Sequence, residues 1–251
     1  MSFQHSKFVP PFRYHRGIYL FGAQGAFVIF TTVFTFYIVY VLGQASTVVS
    51  VMNSLNSILQ ICAALVFIFI CAKKGFMAPN QLALGAVIVS VLLYGGLYLL
   101  SIPSSSMFLA ITIITILMGA AMGGTYYIPW TVFMADIDEL VTNRRREGIL
   151  PVRCVHAIFL KAILLFAIGA ILSVAGFKEG LGAQPKSAID AIVLLLVIGT
   201  AGFTAFAVWC TDRLEIFNQK THKIALDEVQ GIHNGGPWKM HQMKIVVLSN
   251  S

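Results

Sequence analysis

Lys161 asks more of its surroundings than any other side chain in this sequence. It lies about nine positions inside an apolar run that begins near residue 153, roughly 13 Å from the nearer end of the helix such a run forms. A cation at that depth costs about 2.5–3.5 kcal/mol, so Lys161 is expected to face a bundle interior and to have a partner there. It either meets a solute within the membrane or is a structural lysine bonded to backbone carbonyls. His156, nearer the end of the same run, reads as a satisfied helix-end histidine.

Asn53, Asn56 and Gln60 follow at i, i+3 and i+7, which stacks three amides on one helical face. Lipid satisfies none of them, so they either bond a neighbouring helix or line a polar cavity for a substrate. Gln24, Thr31, Thr32 and Thr35 allow the same two readings, although hydroxyls that bond back to their own helix favour the packing one. Further on, the stretch Gly119-Ala120-Ala121-Met122-Gly123-Gly124 is followed by Tyr126, Tyr127, Pro129 and Trp130. Small residues four apart usually mark close helix packing, and Pro129 removes one backbone hydrogen bond. The aromatic cluster beyond them is either core or a surface on which a sugar ring stacks.

These residues need elements that hold them in a membrane. Of the 251 residues 58% are hydrophobic and 11% charged, with mean hydropathy +0.84, which excludes a water-soluble globular domain. A bilayer core of roughly 30 Å takes about 20 apolar residues per helix, and six such runs fit, at about 17–42, 49–72, 77–101, 107–135, 153–176 and 188–211. The expectation is an all-α integral membrane protein: a segment 1–16, a six-helix domain 17–211 and a tail 212–251. Continuous apolar runs without period-2 alternation exclude barrel strands.

The net charge of +7 reads as orientation. Lys7, Arg13, Arg16, Lys73, Lys74, Arg144, Arg145, Arg146, Arg153, Arg213, Lys220, Lys223, Lys239 and Lys244 fall on one side, against Lys178 and Lys186 on the other. That asymmetry places both termini in the cytoplasm, with lipid and not nucleic acid as the surrounding partner. From Asp212 to Val229 the tail reads as a helix lying on the bilayer surface. Cys62, Cys71, Cys154 and Cys210 contain no C-x-x-C pair, so no metal site is expected. There is no H-E-x-x-H, no G-x-S-x-G, no phosphate-binding loop and no intramembrane pair of aspartates. Neither an enzyme nor an ATP-driven pump is expected, and no cofactor.

After the fourth run come Asp136, Asp138, Glu139, Leu140, Thr142, Asn143, Arg144, Arg145, Arg146, Glu147 and Gly148. Acids at the end of one span and arginines before the next are either a solvated charge run or a network that locks two helices and breaks when a transporter changes state. This segment resembles the signature D-x-D-E-L-x-T-G-x-R-R-E-G of the glycoside-pentoside-hexuronide:cation symporters, the melibiose-permease-like branch of the major facilitator superfamily. Echoes are the stretch Tyr37 to Gly43, the turn Lys73-Lys74-Gly75 and the stretch Phe217 to Val229.

The resemblance covers about residues 15–229 and implies the second six-helix half of a twelve-helix symporter of the bacterial inner membrane. It implies sugar transport coupled to sodium or a proton, with the cation-binding carboxylates in the other half. Asp136, Asp138, Glu139, Thr142, Arg145, Arg146 and Glu147 would be the cytoplasmic gating loop, and Lys161 would match a lysine of the family's eleventh helix. Phe133 stands where the family usually has a further aspartate, Asn143 replaces the usual glycine, and about two extra residues follow Gly148. The expected function is therefore a half-transporter that needs a complementary N-terminal half or self-association. The alternative is a non-transporting remnant or a six-helix membrane scaffold.

Overall fold

The computed structural model describes the backbone of residues 10–74, 77–100, 104–134, 149–180 and 182–212, and within these the side chains of 21–71, 73, 77–100, 106–126, 128, 158–180 and 182–211. Among the described residues the fold is all helix. α1 is Pro10–Phe36, continued by a wider-wound turn Tyr37–Val41. α2 is Ser46–Lys74, α3 Met77–Leu99, α4 Ser104–Met134 and α5 Ile149–Val174. α6 is made of Lys186–Leu194, a wider-wound turn Leu195–Gly199 and Thr200–Asp212. Five of these helices are long and apolar enough to cross a membrane, and Ile158–Val174 of α5 is a shorter apolar stretch. The chain is a multi-pass membrane protein by these lengths.

The helices lie in two layers. A row α2–α4–α1–α5 is held by the contacts α2 to α4, α4 to α1 and α1 to α5, while α3 packs behind α4 and α6 behind α1, with α3 and α6 against each other. Exchanging α1, α2, α3 for α4, α5, α6 turns this list of packed pairs into itself: α1–α6 becomes α4–α3, α1–α5 becomes α4–α2, and α3–α6 is unchanged. The core follows the centre of this arrangement, with Phe30, Phe34, Tyr37, Tyr94, Met52, Ile111, Met118 and Leu196 fully buried. Burial is unequal: half of the α1 window is enclosed, but only 17% of the α2 window. The end helices of the row have the fewest neighbours and expose Ile58, Leu65, Phe69, Phe159 and Phe166, as lipid-facing helices do.

The rear pair is tied at both ends. Asn80 Nδ2 donates to Thr211 Oγ1 at 3.2 Å, both side chains fully buried, and Tyr98 OH donates to Asp190 Oδ1 at 2.8 Å. The end carrying Tyr98 and Asp190, the α1–α2 turn and the α5–α6 connection is called the upper end below.

Candidate solute-binding face

Close backbone approach sets the geometry of α4. A Cβ on Gly119 would lie 3.1 Å from both the carbonyl oxygen and Oδ1 of Asn56, and one on Gly123 would lie 2.5 Å from the Gln60 carbonyl oxygen. The small-residue stretch is thus a packing seam with α2. Tyr126, three residues on from Gly123, shares that face of α4 and packs against Phe27 of α1 as a tilted ring pair, centroids 4.6 Å apart and 36° inclined. Half-buried Tyr126 sits where α1 and α4 meet.

The three amides of α2 do not act as a set. Asn56 is 5% exposed and turned into the α4 seam, where its Oδ1 has no hydrogen-bond partner. Asn53 is exposed and Gln60 half-buried. Ser46, Ser50 and Ser57, which sequence reading passed over, complete with Asn53 and Gln60 a polar line at intervals of 4, 3, 4 and 3 residues beside the seam. Ser50 and Ser57 hydroxyls donate to the carbonyls of Ser46 (3.3 Å) and Asn53 (2.9 Å), one turn earlier. The line is legible in the sequence once serines are counted with the amides, because the 3–4 spacing defines one side of a helix.

On α1, enclosed by α4, α5 and α6, the exposed side carries Thr31 and Thr35, with Gln24 and Thr32 half-buried. Thr31 Oγ1 donates to the Phe27 carbonyl at 2.9 Å, the back-bonding expected of a threonine in an apolar helix. Phe27 lies one turn from Gln24 and one from Thr31, so its ring contact brings Tyr126 to the same level of the bundle as these two polar groups.

Lys161 departs from expectation. Its side chain is exposed, about 100° round α5 from Leu160, which with Leu164, Ile168 and Leu172 packs inward. Among the described residues it has neither a hydrogen bond nor an ion pair. The reason is the narrow contact of α5, which rests on α1 and touches α6 slightly, so most of its circumference lies outside the bundle. Side chains of Tyr127, Pro129 and Trp130, and the loop with Asp136, Asp138, Glu139, Thr142, Arg145, Arg146 and Glu147, lie outside the described residues, as does the tail after Asp212.

A buried polar chain near the upper end was not anticipated. Tyr37 OH of α1 donates to the Tyr94 carbonyl of α3, Tyr94 OH and Thr115 Oγ1 of α4 are 2.8 Å apart, and Thr115 Oγ1 is 3.6 Å from Met52 Sδ of α2. Four helices meet in it. The available signal is a tyrosine inside an apolar run, whose hydroxyl needs a partner when buried.

Among the described residues no group of three or more His, Cys, Asp or Glu is arranged to hold a metal ion. No known protein family, curated protein or solved structure matches the chain.

Proposed function

We propose that this chain is one six-helix half of a secondary transporter for a small polar solute of the glycoside class, working when a second six-helix half covers the polar face of its front row. The observation that carries this reading is the packing of α1–α3 and α4–α6 as interchangeable halves, the organisation that nested three-helix repeats give to such transporters. Exposed polar groups at membrane depth support it: the Asn53 amide on α2 and the Lys161 ammonium on α5 are costly against lipid and are satisfied against a water-filled cavity or a second bundle. The loop from Asp136 to Gly148, with its likeness to the cation-symporter signature, supplies the class of substrate and of driving ion.

In this reading the two halves rock about a solute held near mid-membrane. Gln24, Tyr126, Asn53 and Gln60 contribute hydrogen bonds and a ring face, Lys161 a fixed positive charge, and the acids and arginines of the loop form a cytoplasmic latch. Acids among the described residues are Glu179 in the α5–α6 connection and Asp190 and Asp212 near the ends of α6, and by the resemblance the carboxylates for sodium or a proton belong to the second half.

The test is uptake of radiolabelled galactosides into vesicles, with and without a sodium or proton gradient, for the chain alone and co-expressed with a complementary six-helix half. Gradient-dependent uptake in the pair alone supports the reading. No uptake in either case, with a half of proven competence and a range of glycosides, replaces it with a membrane scaffold or remnant.

A further inference from the structure

The two end helices of the front row, α2 and α5, present chemically unlike groups. α2 carries the exposed Asn53 amide, the half-buried Gln60 amide and the exposed hydroxyls of Ser50 and Ser57, all with acceptor oxygens and none charged. α5 carries the exposed Lys161 ammonium, which has neither a hydrogen bond nor an ion pair among the described residues. An ammonium has three donors and no acceptor, so α2 offers what Lys161 lacks. Within one copy the two helices stand at opposite ends of the row α2–α4–α1–α5, and the match goes unused.

The same helices match in level. Ser46, Ser50 and Ser57 of α2 are spaced by 4 and 7 residues, and Ser173, Gly169 and Ala162 of α5 repeat those intervals in the opposite direction. Such spacing keeps each set on one side of its helix, and every member is exposed. Ser46 opens α2 and Ser173 is the last residue but one of α5, both at the upper end. Antiparallel helices aligned from that end therefore bring Ser46 to Ser173, Ser50 to Gly169 and Ser57 to Ala162. A Cβ on Gly169 meets nothing within 4 Å, so this side of α5 is open to a backbone from outside, and small residues are what let membrane helices approach closely. Lys161 lies about 18 Å below Ser173, between the levels of Ser57 and Gln60, which are about 17 Å and about 21 Å below Ser46.

We propose that a second copy of this chain, inserted the same way round and related by a two-fold axis along the membrane normal, covers the front row. Such an axis reverses the order of the row, so α2 of one copy faces α5 of the other, α4 faces α1, and each contact is made twice. The Lys161 ammonium of one copy then meets the acceptor oxygens of Ser57 and Gln60 in the other, while Gly169 lies against Ser50. Pairing like with like loses this match: α2 on α2 leaves both ammoniums unmet, and α5 on α5 sets them against each other. The second copy is the covering half of the proposed function, and the pairing rests on that reading in taking the front row as the covered face.

The experiment is disulfide crosslinking in membrane vesicles between two differently tagged copies of the full chain, each with Cys62, Cys71, Cys154 and Cys210 replaced by alanine. A disulfide forms only between Cα atoms within about 7 Å, so it reads the register. Ser50→Cys in one copy with Gly169→Cys in the other, and Ser57→Cys with Ala162→Cys, are expected to crosslink on the order of tenfold faster than the out-of-register pair Ser50→Cys with Ala162→Cys. Gly169→Leu, whose side chain has open space in a single copy, is expected to leave membrane insertion unchanged and to slow the Ser57→Cys with Ala162→Cys crosslink about tenfold. Lys161→Ala is expected to slow the same crosslink about threefold. Equal rates in and out of register overturn the pairing, as does an unchanged rate in both the Gly169→Leu and Lys161→Ala variants. Crosslinking of Ser50→Cys to a separately encoded six-helix half but not to a copy also overturns it, and leaves the proposed function standing. Galactoside uptake in the same vesicles judges that function by itself: crosslinking in register without uptake keeps the pairing and removes transport.

Discussion

At the scale of single residues, the protein separates polar groups that pack from polar groups that face outward. Asn56 and Asn53 are three positions apart on α2, yet one lies in the α4 seam and the other is exposed. Gly123→Leu is expected to destabilise the bundle by about 1–3 kcal/mol, because the new side chain meets the Gln60 carbonyl and Ala63 with no room to yield; thermal unfolding in detergent measures it. Tyr94→Phe deletes the hydroxyl that meets Thr115 and is expected to cost about 0.6 kcal/mol, the usual worth of a hydrogen bond between membrane helices, checked by a double-mutant cycle with Thr115→Val. Lys161→Ala is expected to abolish solute binding or its coupling in the assembled transporter while leaving thermal stability unchanged, since the ammonium has no partner among the described residues. Unchanged uptake together with altered melting would make Lys161 structural.

At the scale of elements, the rear pair is the most tied part of the bundle and the ends of the row the least enclosed. α3 and α6 are joined by Asn80–Thr211 below and Tyr98–Asp190 above, whereas α2 and α5 each lean mainly on one neighbour. Asn80→Ala leaves Thr211 still bonded to the Ala207 carbonyl, so the expected loss is modest, about 0.6 kcal/mol, read as a lower melting temperature. The apolar runs were legible in the sequence because crossing a bilayer demands about 20 apolar residues; five of the six expected spans are long and apolar enough to cross, and the fifth run is the shorter apolar stretch Ile158–Val174. The wide turns at Tyr37–Val41 and Leu195–Gly199 were not anticipated, although glycine stands at the end of each, Gly43 at φ +63° just after the first and Gly199 within the second.

At the scale of the whole molecule, α1–α3 and α4–α6 pack interchangeably, a relation between helix pairs that hydropathy along the chain does not express. In the function proposed above, the front row is the face that a second half would cover. Reversing the charge of Arg145 is expected to impair transport by the assembled protein without changing membrane insertion, because the proposed cytoplasmic latch joins acids and arginines of one loop. Uptake assays beside a membrane-fraction assay separate the two, and normal uptake removes the latch.

The sequence by itself determined that the chain is a multi-helix membrane protein with its polar residues sparsely placed inside the spans. Apolar length and charge asymmetry are local, additive properties that need no partner to be read. Tertiary structure alone decided which of those polar residues face a neighbour and which face out. Asn56 is buried because Gly119 lets α4 close on it, Lys161 is exposed because α5 rests on α1 along one narrow stripe, and neither outcome is written in the spacing of the residue concerned. Burial belongs to pairs of helices, so it is fixed only when both members of the pair are in place.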